Sequence, residues 1–330
     1  MTLISATQPH PQPLIGVDVG GTTLKFGLVD PSSGDILHQF ALPTDAEHGV
    51  DAVIARIAEG INRLLGEYPH PIPAIGMGVP GVVNQQGDVC YPPNFPGWEV
   101  VPVAKRLAPL LARQLPIAVE NDANVAAVAE AQAPGATDRD FLFVTLGTGV
   151  GGCIIANGEI WHGATGGAGE LGHLSVAMNG QLCNCGARGC VEAYLGQRYM
   201  TAAAELRLSR FPQSLLHTMI AEGNELDPKL INTAAEAGDR FTAEFLEEMG
   251  EILGAALASA MNLLDIHVVI VGGGVAQAEQ FLLEPARRSL RARLLKSIAR
   301  DAQLRTARFQ NNAGIIGAAM LAKKVAGGNS

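Results

Sequence analysis

Aromatic residues make up 5% of this sequence and charged residues 17%. So few aromatics leave little for a platform on which nucleic-acid bases stack. Basic residues are also outnumbered. The 23 Lys and Arg stand against 32 Asp and Glu, a net charge of −9, whereas a nucleic-acid binder carries a basic face. No nucleic-acid partner is expected. The opening MTLISATQPHPQPL has no basic segment followed by an apolar one. No signal peptide is therefore expected, and residues 1–13 read as a disordered Pro-rich tail. Long unbroken apolar runs are missing too. Ile252–Val271 comes nearest, but Asn262, Asp265 and His267 interrupt it and it turns β-branched at Val268. That pattern predicts a buried helix followed by a buried strand, with no membrane span. The five cysteines are an odd number, and Cys183, Cys185 and Cys190 crowd together, apart from Cys90 and Cys153. This fits a metal site in a reducing, cytoplasmic compartment better than a disulfide framework.

Apolar residues, by contrast, reach 48% of 330 residues. That is enough for a sizeable core and, at about 150 residues per domain, for roughly two domains. Glycine is also plentiful. The 39 glycines are about 12% of the chain against a usual 7% or so, and glycine lets a backbone approach phosphates closely.

Leu14–Val19 and Leu24–Val29 are apolar runs around a Gly-rich turn, the pattern of strand, turn and strand. Ile36–Leu42 adds a third strand. Helical spacing predicts a helix over Gly49–Leu65, and a strand follows at Ala74–Val79. A second helix is expected near Val101–Leu115. A short strand, Ile117–Glu120, then leads to an Ala-rich helix capped by Asn121 or Asp122. The opening plan recurs as strand Phe141–Leu146, Gly-rich turn Gly147–Gly152 and strand Cys153–Ala156. The two copies read as an internal pseudo-repeat. The remainder reads as mostly helical, broken by a strand at His267–Val271. A boundary near Pro116–Glu120 divides a small lobe, 14–118, from a larger one, 119–311. A final helix at about 312–326 returns to the first.

Asp18-Val19-Gly20-Gly21-Thr22-Thr23 sets an acid at a strand end beside side-chain-free amides. Such a turn can point N–H groups at phosphate oxygens, and the Asp can hold Mg²⁺ through water. Alone it is an ordinary hairpin turn. The second copy, with Thr148 and Gly149, predicts a nucleotide gripped between two lobes. Gly147–Gly152 also satisfies G-x-G-x-x-G, but a β-branched run follows where a dinucleotide fingerprint needs a helix. The P-loop pattern is absent. Gly272, Gly273 and Gly274 end a buried strand and either cradle ribose or adenine or simply form a tight turn.

His173, Cys183, Cys185 and Cys190 supply four ligands, the number a closed tetrahedral Zn²⁺ site needs. Iron–sulfur ligation draws on four cysteines in one cluster. Glu170, His173 and Glu192 bracket the same loop, 172–192, and can hydrogen-bond sugar hydroxyls.

These pieces carry a family resemblance: DVGGT at 18–22, VPG at 79–81, NFPGW at 94–98, ENDAN at 120–124, LGTGVGG at 146–152, GELGH at 169–173, CNCGARGCVE at 183–192 and GGGV at 272–275. The chain resembles the ROK family of repressors, open reading frames and sugar kinases from Leu14 to about Ala322. The resemblance implies an α/β actin-like, hexokinase-type ATPase fold of ribonuclease H-like duplicated domains, with a cleft between two lobes. It implies Asp122 as catalytic base and Asn121, Glu170, His173 and Glu192 as sugar ligands. Gly81 and Asn94 then line the sugar pocket. His173, Cys183, Cys185 and Cys190 become the zinc ligands, with His173 serving both sites through its two ring nitrogens. Many members carry Lys directly after the first Gly-Gly-Thr; this chain has Thr23, with Lys25 two residues on, to which no role transfers.

The expected activity is ATP- and Mg²⁺-dependent phosphorylation of a hexose, glucose first, by a homo-oligomer (dimer or tetramer). The runner-up substrates are N-acetylmannosamine and N-acetylglucosamine. The rival class is a sugar-sensing transcription repressor, which places a helix-turn-helix domain ahead of the first phosphate turn. Only the short tail precedes Leu14 here.

Overall fold

The structure is a computed structural model, and it describes residues 12–93 and 95–327. Residues 1–11 of the expected tail, and Asn94, lie outside the described residues. The chain forms two compact units. The first contains residues up to Ala136 together with those from Asn312 onward; the second is Thr137–Asn311.

In the first unit, β1 (Leu14–Val19), β2 (Thr23–Val29) and β3 (Ile36–Pro43) form an antiparallel meander. Helix α1 (Val50–Glu67) follows, with Val53, Ile54, Ile57, Ile61, Leu64 and Leu65 buried. That is the three-and-four spacing of an amphipathic helix. Each such side chain, fully buried, contributes about 1.5–3 kcal/mol. Strand β4 (Ile75–Val79) then pairs in parallel with β1. A small antiparallel sheet follows, of β5 (Val82–Val83), β6 (Val89–Cys90) and β7 (Val100–Val101).

The helix expected near Val101–Leu115 is shorter. Helix α2 covers Val103–Leu107 and passes into a 3₁₀ turn at Ala108–Leu110. Pro109 cannot continue an α-helical hydrogen-bond ladder. Strand β8 (Ile117–Asn121) pairs in parallel with β4 and completes the order β3-β2-β1-β4-β8. Helix α3 (Asp122–Ala131) follows directly. The expected boundary after residue 118 therefore falls inside this unit, because β8 is bonded to β4. The division lies instead at 136/137.

The second unit repeats the plan. Strands β9 (Phe141–Leu146), β10 (Val150–Ala156) and β11 (Glu159–Ile160) form the meander. The turn is shorter than expected, Gly147–Gly149, because the β10 pairing begins at Val150↔Leu146. Helices α4 (Glu192–Leu195), α5 (Gln197–Leu208), α6 (Leu216–Ala221), α7 (Pro228–Glu236) and the long α8 (Arg240–Leu264) come next. Strand β12 (Val268–Gly272), fully buried, pairs in parallel with β9. Helices α9 (Glu284–Arg293) and α10 (Lys296–Ala299) lead to β13 (Gln303–Thr306), parallel to β12. The order β11-β10-β9-β12-β13 matches that of the first sheet. Strand β13 had no place in the sequence reading; its four residues are too few for alternation to register.

The last helix, α11 (Ala313–Ala326), packs on β1, β4 and α3 of the first unit. It comes close because Gly16 and Gly76 lack side chains. A Cβ there would lie 2.0 Å from Ile315 O and 1.8 Å from Ala318 O. Among the described residues no helix is long and apolar enough to cross a membrane.

Candidate functional site

In each sheet the parallel strands end together, and ligands of open α/β sheets bind at carboxyl ends. In the first unit the register aligns Asp18, Gly78 and Glu120 across β1, β4 and β8. Just beyond this row stand Gly81, Asn121 and Asp122. Asn121 caps α3: its Oδ1 accepts from Ala123 N at 2.9 Å and Asn124 N at 3.1 Å. Its Nδ2 donates to Gly81 O at 2.9 Å. Buried Glu120, at 6% exposure, accepts from Asn121 N and Asn124 Nδ2. Asp122 is exposed on the first residue of α3, where the helix dipole favours the ionised carboxylate.

The first Gly-rich turn closes through Gly20 N–H donating to Thr23 O at 3.0 Å. Thr44, fully buried, holds it from behind. Its hydroxyl donates to Gly20 O at 2.6 Å and its N–H to Thr22 O at 3.0 Å. Lys25 lies directly opposite Asp18 across the β1–β2 pair, and its Nζ meets Asp18 Oδ2 at 3.2 Å. The Asp18 carboxylate also lies against Gly314 in the first turn of α11, within 2.8 Å of where a Cβ would be.

In the second unit Gly147 N–H donates to Gly149 O at 3.0 Å, closing the matching turn. Thr148 is exposed at its tip. At the end of β12, Gly272 and Gly273 line a cavity of about 380 Å³ with Ala276, Gln277, Thr306 and Gln310. Gly273 adopts φ 89° and abuts Leu146 O, at the end of β9. Gly274 caps the following 3₁₀ turn and is not in the cavity wall.

The segment Leu171–His173 is a 3₁₀ turn seated on β10. It presents His173, whose Nε2 is 4.0 Å from Glu170 Oε2 and whose Nδ1 is 3.8 Å from Cys183 Sγ. Cys185 Sγ and Cys190 Sγ are 3.7 Å apart. The four donor atoms of His173, Cys183, Cys185 and Cys190 all lie within 4.8 Å of one another. A tetrahedral ion with metal–sulfur bonds of about 2.3 Å sets its sulfurs roughly 3.8 Å apart, and a disulfide would need about 2.05 Å. The spacing fits a four-coordinate metal site. Burial pushes the Cys190 thiol up to about 12 and raises Cys183, while the Ala187 amide draws Cys185 down. Burial also raises Glu170, against the pull of His173 and with the charge of Glu192. Glu192 accepts from Val150 N at 3.0 Å.

The structure thus gathers Gly81, Asn121 and Asp122 in one unit, and Glu170, His173, Glu192 and the three cysteines in the other. Thr44, Glu120, Lys25 and Gln197 were missed as supporting residues. Only the alternation of β2 hinted at Lys25, by setting it on the face of Thr23.

Comparisons with known proteins follow the same lines. A glucokinase of Halalkalibacterium halodurans is 34% identical over 94% of this chain and 94% of its own. An N-acetyl-D-glucosamine kinase of Yersinia pseudotuberculosis is 31% identical over 93% and 97%. A ROK family glucokinase from Streptomyces griseus, solved in complex with glucose and AMPPNP, superposes with a TM-score of 0.81 at 33% identity, covering 94% of this chain and 99% of that one. The duplicated actin-like ATPase fold expected from the motifs is the fold observed. The profile described as "ROK family" matches residues 14–325, and with it the scattered motifs become one alignment along nearly the whole chain: this protein belongs to the ROK family.

Proposed function

We propose that the protein transfers the γ-phosphoryl group of ATP to a hexose, with glucose giving glucose 6-phosphate as the first reaction. The observation that carries the reading is Asn121–Asp122. A cap residue locked by three hydrogen bonds fixes the backbone from which an exposed carboxylate projects at the carboxyl end of the sheet. Asp122 takes the proton of the attacking hydroxyl as the new O–P bond forms and the bond to the β-phosphate oxygen breaks, releasing ADP. In a loose transition state this transfer is late, so the base needs position more than an unusual pKa. Asn121, Glu170, His173 and Glu192, with Gly81 and Asn94, hold the sugar.

The turns at Gly20–Thr23 and Gly147–Gly149, together with Gly272–Gly274, hold the nucleotide. Their glycines let amides approach phosphate oxygens. Asp18 would hold, through water, a Mg²⁺ that would supply positive charge against the phosphates. His173, Cys183, Cys185 and Cys190 would hold a structural Zn²⁺, which fits their donor set and leaves no open position for substrate. Glucose is placed ahead of N-acetylglucosamine because the relative named for the former is the more similar, 34% against 31%.

A coupled spectrophotometric panel of sugars with ATP and Mg²⁺ tests the reading. Glucose is expected to give the highest kcat/KM. Asp122→Asn should keep the fold and sugar binding and lose about 10²–10⁴-fold in kcat, the usual contribution of a general base. Turnover of no sugar, or near-normal kcat in Asp122→Asn, would overturn it.

A further inference from the structure

The last carboxylate of the cysteine-rich loop reaches outside that loop. Glu192 Oε2 accepts from Val150 N–H at 3.0 Å, 42 residues earlier in the chain. Val150 is the first residue after the Gly147–Gly149 turn. A Cβ on Gly149 would lie 2.4 Å from the same oxygen, so the carboxylate fills space that glycine leaves. Immediately after α4, Gly196 N–H donates to the Glu192 carbonyl at 2.9 Å, and Gln197 N–H donates to Gly147 O at 2.9 Å. One short segment, 192–197, therefore holds the turn at both ends: by a side chain after it and by a backbone amide before it.

An ionised carboxylate offers about four acceptor positions on its two oxygens. The Val150 amide takes one of them on Oε2; Oε1 lies 3.8 Å from Cys183 Sγ and has a further position for a hydroxyl donor. N–H bonds to a carboxylate are shorter and stronger than neutral ones. This bond is made by a half-buried side chain, where competition from water is reduced.

We propose that Glu192 is a positioning residue for the nucleotide: it fixes the Gly147–Gly149 turn through the Val150 amide, so that a sugar hydroxyl ordering its carboxylate orders the phosphate turn as well. The inference rests on the reading above, in which Glu192 meets the sugar and the turn meets phosphate. Its sign follows from entropy. A turn already held costs the nucleotide less ordering on binding. Sugar therefore raises nucleotide affinity, and by linkage the nucleotide raises sugar affinity by the same factor.

The test uses a non-hydrolysable ATP analogue with Mg²⁺ and no sugar, its Kd measured by calorimetry on the whole chain. Glu192→Gln keeps an oxygen at the same reach but not the charge, so it should weaken binding by a smaller factor than the shortened side chain does. Glu192→Asp keeps the charge but withdraws it by one methylene. It should bind on the order of 10-fold more weakly, within the usual span of coupling between sites. Amide exchange at Val150 should accelerate in Glu192→Asp and accelerate less in Glu192→Gln. In the wild type, saturating glucose should tighten the analogue about 5-fold or more, a factor lost in Glu192→Asp.

Wild-type analogue affinity in Glu192→Asp would overturn the inference, since a residue serving the sugar alone has no effect without sugar. Unchanged Val150 exchange in a folded Glu192→Asp would overturn it too. A wild type that binds no nucleotide would remove the functional reading instead, and the exchange measurement would still decide whether Glu192 holds the turn.

Discussion

The two Gly-rich turns occupy the same place in two sheets of the same strand order, yet they are held by different means. The first is held at close range and by charge. Thr44 clamps the Gly20 and Thr22 carbonyls, and Lys25 sits opposite Asp18 one strand away. The second has no acid in the Asp18 position, where Thr145 stands instead. It is held from a distance, by Glu192 and Gln197 of a segment more than forty residues on. A duplicated backbone plan thus fixes where a turn lies, and the local side chains decide what it answers to. The first turn is backed by an ion pair, Asp18–Lys25, and the second by the carboxylate that ends the cysteine-rich loop.

The largest expected effect breaks the charge at the first turn. Together Lys25 and Asp18 are neutral; Lys25→Met keeps the stem and leaves a lone carboxylate beside the proposed phosphate site. The proposed Mg²⁺ at Asp18 offsets part of that charge but does not replace the Lys25 ammonium, so the polyphosphate meets one positive charge fewer. The kcat/KM for MgATP should fall about 10–100-fold, somewhat below the cost of removing one buried oxyanion donor, because Lys25 is 42% exposed. The loss should shrink with added salt, since exposed charges are screened over about 10 Å at 0.1 M. Sugar affinity measured without nucleotide should hold. A loss independent of salt would show that Lys25 acts by packing alone.

A smaller effect separates the two turns sterically. A Cβ on Gly20 would lie 2.9 Å from Thr23 O, a backbone atom that cannot yield without deforming the hairpin. A Cβ on Gly149 meets the end of the Glu192 side chain, which can swing away. Both Gly20→Ala and Gly149→Ala should weaken nucleotide binding, on the order of 10-fold. The Gly149→Ala loss should be strongly non-additive with Glu192→Ala, as expected of residues in contact. Gly20→Ala combined with Glu192→Ala should be additive. Additivity in both pairs would show that the turns are backed alike.

Much of this contrast was invisible in one dimension, for identifiable reasons. The turns themselves were legible because glycine interrupts β-branched runs. The cysteine cluster was legible because its ligands lie within eighteen residues of one another, a spacing that survives folding almost unchanged. The ENDAN segment declared its cap because Asn121 bonds two and three residues ahead. By contrast, β8 joins the first unit through pairing with β4, some forty residues back, and no local pattern records which sheet a strand joins. Pro109 was plainly present but was outweighed by the apolar spacing around it. The contacts Asp18–Lys25, Gly20–Thr44 and Val150–Glu192 are matters of register and long-range approach, which residue type alone does not carry.

The smallest expected effect extends the comparison from turns to whole units and is read in acid. Helix α1 of the first unit starts at Gly49 with no side-chain cap. Helix α8 of the second starts at Asp239, a carboxylate 4% exposed. Burial works to raise the pKa of Asp239. Bonds from Thr242 N, the Ser214 hydroxyl and Leu215 N outweigh it, and the net shift is downward. A carboxyl whose folded pKa lies below its unfolded value, about 3.9, contributes stability that is complete above that value. The contribution is lost as pH falls through the lowered folded value. Acid should therefore loosen the second unit at α8 through a buried carboxylate cap that α1 lacks; the α1 carboxylates Asp51, Glu59 and Glu67 sit in exposed ion pairs. Asp239→Asn keeps an acceptor for Thr242 N but cannot titrate. It should flatten the pH dependence of exchange at Thr242 and Leu215 at a cost of at least that of a lost cap, about 0.5–2 kcal/mol, because the amide Nδ2 would face the Leu215 N–H. Exchange at α1 is the internal control, and an equal acid slope in both helices, unaltered by Asp239→Asn, would show that this cap does not distinguish the two units.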